Sequence, residues 1–345
     1  MEVDYKTILD CTKPGDLFTS DDEKSIKNTY IELCKKYHPD NAVSGRDEDS
    51  LSEEDNAKVM SKINELYVLA MLMSKKGIWE KTGYIKIRKS ETKAYEIYYS
   101  SDYSFELGHV YLTKKKIIYV IAADKKKYAD NLVDNLKKIK YKNSKMEENF
   151  SSSMPNIYGY FEDVTGRAIV IMDKAEGYYP LREVVQYYGG KFDPRHVAWI
   201  ISRLSNIACL LDMNNMTSNG LSVDNLLISP SDHGISVHGA MFYMTEIGSK
   251  MIGTVNDVFE VMPNKVKGNK EAGIDTDLES IKMIGRELCG EKNVVKFREL
   301  GDVPDSMKTF LTKGAGRDAY AEFQCWDKSL HESFGARRFV RMEYK

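Results

Sequence analysis

His38, Pro39 and Asp40 stand consecutively in YIELCKKYHPDNAV, residues 30–43. An imidazole beside a carboxylate can move protons if a pocket perturbs both pKa values. The intervening proline offers a second reading, a stiff turn that a partner recognises, because its ring fixes φ and biases His38 away from helical angles. An exposed turn provides no such pocket, so recognition is favoured over proton transfer. The other reactive side chains are dispersed. Cys11, Cys34, Cys209, Cys289 and Cys325 form no C-x-x-C pair, the pattern of free thiols in a reducing, cytoplasmic compartment. Of the six histidines, His233 and His238 are the closest pair, and their spacing fits neither one helix face nor a zinc hairpin. Neither a metal nor a cofactor is expected.

The tripeptide must be held by what flanks it. SDDEKSIKNTYIELCKKY opens with Ser20 or Asp21 as a helix cap, and Asp22 and Glu23 suit the positive end of the dipole. Ile26, Tyr30, Leu33 and Tyr37 then form one apolar stripe, with Lys24, Lys27, Lys35 and Lys36 mostly off it. Pro39 ends the helix. A polar loop, NAVSGRDEDSLSEEDN, leads to a second amphipathic helix marked by Val59, Ile63, Leu66, Tyr67 and Ala70. Two such helices can pack antiparallel and bury both stripes.

These pieces resemble a J domain, the module of the DnaJ co-chaperone family. The resemblance rests on DYKTIL (residues 4–9), on Ile26, Thr29-Tyr30, Leu33 and Lys36-Tyr37-His38-Pro39-Asp40, and on Ile63-Asn64-Glu65-Leu66-Tyr67. It covers about a fifth of the chain. It implies an all-α antiparallel-helix domain over residues 1–80, with His38-Pro39-Asp40 at an exposed tip. It also implies that the tip and the basic face dock on a DnaK-class heat-shock ATPase and accelerate ATP hydrolysis. Lys24, Lys27, Lys35 and Lys36 would steer the encounter, Pro39 would limit the entropy lost on docking, and Asp40 would accept charge-assisted bonds from an arginine. Ile31 and Glu32 depart from the family, which has basic residues there, and the loop after the tip is longer and more acidic.

Beyond residue 85 the pattern changes. LGHVYL, KIIYVIAAD and RAIVIMDK read as strands, and YADNLVDNLKKI as a helix. A long helix follows with Asp193 as cap, Pro194 at its first position and Val197, Ile200, Ile201, Leu204, Ile207, Ala208 and Leu211 as its buried face. Strands first and helices afterwards suggest an α+β arrangement of two lobes, a β-rich lobe over 90–175 and a mostly helical one over 176–345. SNGLSVDNLLISPSDHGISVHG has the rhythm of a protein-kinase catalytic loop, H-R-D-L-x-x-x-N, then paired strands and D-F-G. The stretch resembles a kinase with its chemistry missing. Gly220 falls on the catalytic aspartate and His238, within Val237-His238-Gly239, on the magnesium aspartate; imidazole is a poor ligand for Mg²⁺. Gly108 alone remains of the glycine-rich loop, with Tyr103 and Phe105 at the first two glycines. Asp124 aligns with the strand lysine and Lys125 is one residue late. Glu147 or Glu148 would replace its acidic partner, Asn225 is kept, and Asp277 would hold the old catalytic loop by hydrogen bonds. One lost acid–base group costs on the order of 10²–10⁴-fold, so several losses imply a pseudokinase, a scaffold kept for binding and not an enzyme.

Length and charge fit this division. The chain has 345 residues and a net charge of −2, ample for two or three domains. Residues 1–75 balance at −6 and residues 81–145 at +9, so different modules meet different partners. No long uncharged apolar run predicts a membrane span, and the acidic start MEVDYKTILD argues against a signal peptide. Lysines at 114–116, 125–127, 137, 138, 140, 142 and 145, with neighbouring tyrosines, suit single-stranded nucleic acid; a solvated surface is favoured, and docking with the acidic loop 47–55 is a third reading. Arg337, Arg338 and Arg341 are expected on a packed terminal helix. The sequence thus predicts a J-like co-chaperone that recruits or stimulates a DnaK-class ATPase, with an inactive kinase-like domain binding an unknown client. A divergent active kinase and a nucleic-acid-binding protein are the alternatives.

Overall fold

The computed structural model describes residues 4–11, 14–38, 52–76, 79, 83–336 and 338–344. The fold is mixed α and β. The chain divides into two compact units: Met1–Ile87 with Tyr95–Ser101 and Leu112–Lys114, and Arg88–Ala94 with Asp102–Tyr111 and Lys115–Lys345. Among the described residues no helix is long and apolar enough to cross a membrane.

The first unit is led by three helices, α1 (Tyr5–Asp10), α2 (Glu23–Tyr37) and α3 (Glu53–Lys76), and continues into β1 (Gly83–Arg88), which pairs with β2 (Ala94–Tyr99). The cap of α2 is Asp22, not Ser20 or Asp21. Its Oδ2 accepts the Ser25 N–H at 2.9 Å, and Ser20 Oγ accepts the N–H of Asp22 itself. Serine and the first aspartate thus shape the approach to the helix, and the last carboxylate before it satisfies an orphan amide.

Helices α2 and α3 run antiparallel. Asp21 at the start of one accepts from Ser74 Oγ near the end of the other, at 2.5 Å, and Tyr30 OH donates to Asn64 Oδ1 at 2.8 Å further along. The seam is apolar: Ile26, Leu33 and Tyr37 meet Val59, Ile63, Leu66 and Ala70, closed by Ile8, Cys11, Leu17 and Phe18. Tyr30 and Tyr67 stack with ring centroids 3.9 Å apart. Burying a stripe from each helix is what makes these segments stable, since helices of this length are marginal alone.

The second unit opens with β3 (Ser101–Phe105), β4 (Gly108–Leu112), β5 (Lys116–Ile121), α4 (Lys126–Leu136), α5 (Ser144–Phe150), β6 (Ile157–Glu162) and β7 (Ala168–Asp173). The five strands form one sheet in the order β3-β4-β5-β7-β6, and β5 pairs antiparallel with β7 from Lys116 opposite Asp173 to Ile121 opposite Ala168. A linking segment leads to β8 (Tyr179–Pro180), α6 (Leu181–Tyr187), α7 (Pro194–Met213) and β9 (Met216–Thr217). Next come β10 (Leu227–Ser229), β11 (Gly234–Ser236) and β12 (Thr245–Glu246). Strand β10 lies between β11 and β8, and β12 pairs with β9. The chain ends with α8 (Asn256–Val261), α9 (Asn264–Asn269), α10 (Ile274–Leu288), α11 (Val294–Arg298), α12 (Asp305–Thr312) and α13 (Ala319–Phe334).

Asp193 caps α7 by accepting the Arg195 N–H at 2.8 Å, and Pro194 takes the first turn. The seven apolar residues expected to face inward are buried; α7 packs against α10 and α13. Helix α10 is buried on nearly every side, including Lys282, whose ammonium pairs with Glu322 at 2.6 Å, lies over the Phe310 ring and donates to the Lys313 carbonyl. Such a charge is tolerated inside only because it is fully partnered.

The terminal basic segment corrects an expectation. Helix α13 stops at Phe334, where Gly335 adopts φ 68°, and residues 338–344 continue without helix. The segment is a strap held by side chains: Tyr188 OH donates to the Glu343 carbonyl at 2.6 Å, and Tyr344 packs edge-on against Tyr179 and Tyr187. Gly335 favours the left-handed turn that ends the helix; Arg337 lies outside the described residues.

Ile63 is wholly buried in the seam of the first unit. Ile63→Ala should cost about 2–5 kcal/mol by deleting packed methyl groups and speed amide hydrogen exchange across α1–α3. Unchanged exchange there would contradict the packing described.

Candidate functional site

In the first unit, Lys24, Lys27, Ile31, Lys35 and His38 follow each other at three- and four-residue steps and are all exposed. Side chains so spaced share one helix face. Lys36 is exposed beside that stripe. Ile31, 49% exposed, sits in its middle, so the basic face carries an apolar centre. His38 is the C-cap residue of α2, with φ −62° and ψ 134°, and its N–H donates to the Cys34 carbonyl at 2.9 Å. That extended geometry is what a following proline imposes. Pro39 and Asp40 lie outside the described residues, as does most of the acidic loop 47–55.

In the second unit the loop Ser218–Asn225 is built around Asp277. This carboxylate, at the start of α10, is fully buried; its Oδ2 accepts the Ser218 N–H at 2.6 Å and its Oδ1 the Asn219 N–H at 2.8 Å. Burial pushes its pKa up to about 6, against the pull of the two amides and of Thr217. Ser218 Oγ donates to the Ala240 carbonyl at 3.2 Å, and Thr254 Oγ1 to the Asn219 carbonyl at 2.6 Å. The loop is thus fixed from both sides.

Gly220 has no room for a side chain. A Cβ there would lie 2.6 Å from the Ala240 carbonyl oxygen and 2.7 Å from the Tyr243 ring. Asn225 is turned inward, its amide donating to the Gly220 carbonyl at 3.0 Å. The neighbouring carboxylate, Asp224, is clamped by Arg182 through Nε at 2.6 Å and Nη2 at 2.9 Å, while Nη1 of the same arginine reaches Glu287 at 2.8 Å. A bidentate fork engages one acceptor site on each carboxylate oxygen and fixes the carboxylate's orientation.

His238 is a structural tether. Its Nδ1 hydrogen-bonds Ser236 Oγ and its Nε2 donates to the Asp173 carbonyl at 2.9 Å, linking the turn after β11 to the end of β7. Both ring nitrogens are engaged, so neither is presented to a metal. Burial lowers its pKa to about 4, so the ring is neutral at pH 7. Among the described residues no cluster of three or more His, Cys, Asp or Glu side chains could hold a metal ion.

Three aromatic rings meet beside this loop. Tyr119 of β5 packs edge-on against Phe242, with centroids 4.9 Å apart, and Phe105 of β3 lies 5.4 Å from Tyr119 and 6.0 Å from Phe242. Next to them a cleft of about 660 Å³ is lined by residues including Tyr103, Phe105, Arg182, Asp224 and Asn225. Gly108 begins β4, and a Cβ on it would strike the Val120 carbonyl at 2.1 Å, so the glycine serves close strand approach.

Two sequence assignments need correction. Asp124 was expected at the strand lysine, but β5 ends at Ile121 and Asp124 lies exposed in the 3-10 turn that follows. The strand residue that faces the aromatic cluster is Tyr119. Lys125, in the same turn, donates to the Glu106 carbonyl. Glu147 and Glu148 are exposed on α5. The helix packed on residues 240–243 is α4. From it Asn131 donates to the Phe242 and Met244 carbonyls at 3.1 and 2.9 Å, and Asn135 to Met244 at 2.7 Å. The period of YADNLVDNL marks that helix, but nothing in it signals that its asparagines, four apart, cap backbone carbonyls more than a hundred residues away.

About half of the eleven lysines of residues 114–145 pair with carboxylates, Lys114 with Asp21 among them. Lys115 pairs with Glu176, Lys116 with Asp173, Lys126 with Asp130 and Glu162, Lys137 with Asp134 and Lys138 with Glu246. Set beside known proteins, the chain matches no protein-family model and no curated protein.

Gly220→Asp forces a carboxylate against a carbonyl oxygen and should destabilise the protein by about 1–3 kcal/mol or more, with no phosphotransfer gained. Denaturant unfolding and a labelled-phosphate assay check both; a stable, active variant would overturn this account. A second outcome concerns pH. The His238 pKa is about 4 folded against an ordinary 6.5. The unfolded chain therefore binds the proton first as pH falls, so stability complete above pH 6.5 is lost towards pH 4, by about 3 kcal/mol. Asp277, raised when folded, opposes this in the same window. Comparing wild type with His238→Gln cancels that opposing part: the variant should lose less stability between pH 7 and 4.5 in urea unfolding. Parallel losses would show that His238 does not titrate this way.

Proposed function

We propose that the chain is a non-enzymatic adaptor: its first unit a J-like co-chaperone module that recruits or stimulates a DnaK-class ATPase, its second a kinase-like scaffold that binds a client or an assembly. The observation that carries the first half is the exposed face of α2, where three lysines flank Ile31 and the stripe ends on His38. Ammonium groups steer an acidic partner, and a half-exposed isoleucine among them gives the docked state an apolar anchor. A stiff helix end costs little ordering on docking.

What supports the second half is the closed chemistry of the loop 218–225. Position 220 has no space for a base, Asn225 is spent on the Gly220 carbonyl, Asp224 on Arg182 and His238 on Ser236 and Asp173. The sheet of β3–β7 followed by a helical lobe, with Asp277 fastening the loop, suits the kinase-like reading. The active-kinase alternative requires phosphate and magnesium ligands that these side chains do not offer. The nucleic-acid alternative draws on a basic stretch about half of whose lysines sit beside carboxylates, which lowers the field available to a phosphate backbone. The reducing cytoplasm suits five cysteines that are all unpaired.

A steady-state ATPase assay with a DnaK-class chaperone tests this reading. Wild type should stimulate hydrolysis severalfold and His38→Gln should not; equal rates remove the co-chaperone function. In the same preparation ATP with Mg²⁺ should leave the melting temperature unshifted, and a saturable rise would favour the kinase alternative.

A further inference from the structure

A second cavity lies away from the loop 218–225. It is a groove of about 610 Å³ between α7, the end of α13 and the terminal strap. Among the described residues its lining includes three arginines, Arg195, Arg203 and Arg338, and no aspartate or glutamate. Arg195, Trp199, Arg203 and Asn206 recur at three- and four-residue steps, so one face of α7 supplies most of the polar wall. Ala198, Leu330, Phe334 and Val340 supply an apolar one.

The wall is preorganised. His233, in the turn between β10 and β11, is sandwiched between Trp199, with centroids 4.4 Å apart and planes 5° off parallel, and Phe339, at 4.1 Å and 18°. Its Nε2 donates to the Val340 carbonyl at 2.8 Å, fastening the strap that forms the groove's edge. Arg203 Nε donates to the His233 carbonyl at 3.0 Å, which aims the rest of the guanidinium outward from that anchor. Asp193 holds Arg195 at 2.8 Å. The Trp199 indole N–H is buried without an acceptor, and among the described residues Arg338 makes no ion pair.

We propose that this groove binds a small organic anion, an apolar body carrying a carboxylate or phosphate group. Guanidinium forks match both head groups in bidentate geometry. With Arg195 engaged by Asp193, Arg203 and Arg338 are the donors that select negative charge, and the apolar side contributes burial. The volume falls in the range of small-molecule sites, about 300–1,000 Å³, too small for a folded partner. The inference goes beyond the adaptor reading and does not rest on it.

The test titrates the full-length protein with phenyl phosphate and with benzoate, against phenol as the neutral analogue, following tryptophan fluorescence and thermal unfolding. At least one anion should saturate below about 10 mM, at least tenfold tighter than phenol; the two arms tell phosphate from carboxylate. The exposed arginines allow Arg203→Gln with Arg338→Gln in one protein whose circular dichroism matches wild type, and binding should weaken at least tenfold. Trp199→Phe should abolish the fluorescence response and keep the thermal shift, which locates the ligand at this wall. No saturable response to either anion, equal binding of phenol, an unaffected double variant, or a fluorescence response that survives Trp199→Phe would each overturn the proposal.

Discussion

The second unit depends on one buried carboxylate. Asp277 lies fully inside the protein, where an isolated charge is prohibitively costly, and it is tolerated because two backbone amides of the loop 218–219 point at it. Those bonds draw the loop onto α10, and the opposite side of the loop is then pressed against residues 240–243. Gly220 is the consequence. With the backbone fastened at 218 and 219 and the Ala240 carbonyl overhead, no Cβ fits. The contact that keeps the loop rigid leaves no space for a base at that point. Placing any side chain there means moving the loop off its anchor, at a loss of packing.

The same economy governs the polar atoms nearby. Asn225, His238 and Asp224 are types that could act on a substrate, and each is committed to an internal partner. Tyr119, Phe105 and Phe242 add packed apolar rings beside the loop. A buried network whose members are mutually satisfied stiffens the structure and gives up reactivity.

Much of the backbone was legible in the sequence because periodicity and caps are local. Asp193 and Pro194 announce α7, and the spacing of Val197 through Leu211 gives its buried face without reference to anything distant. The seam of α2 and α3 follows from the stripes of Ile26, Leu33, Val59 and Ile63 in the same way. What failed was non-local or depended on single-residue register. Ser20, Asp21 and Asp22 are chemically alike as caps, and only the first helical turn selects Asp22. Asp124 was aligned by counting along a strand that ends three residues earlier. Nothing in the helical period marks Asn131 and Asn135, whose partners, the carbonyls of Phe242 and Met244, lie more than a hundred residues away. The basic terminal segment is expected as a packed helix, but Gly335 has already turned the chain, and in the strap 338–344 Phe339 stacks on His233 and the Val340 carbonyl accepts from it.

Charge is the other property that sequence shows only in sum. Residues 81–145 carry a balance of +9, yet lysines 115, 116, 126, 137 and 138 each lie within reach of a carboxylate. Exposed pairs of this kind contribute little stability, about 0–1 kcal/mol each, but they cancel field. On α2 the arithmetic runs the other way. The first module is acidic overall, yet Lys24, Lys27 and Lys35 align on one exposed face through their spacing alone. Net charge thus says little about where on each unit the ammonium groups lie. On that face the ammonium groups surround the half-exposed Ile31, and the stripe ends at His38, the C-cap residue of α2.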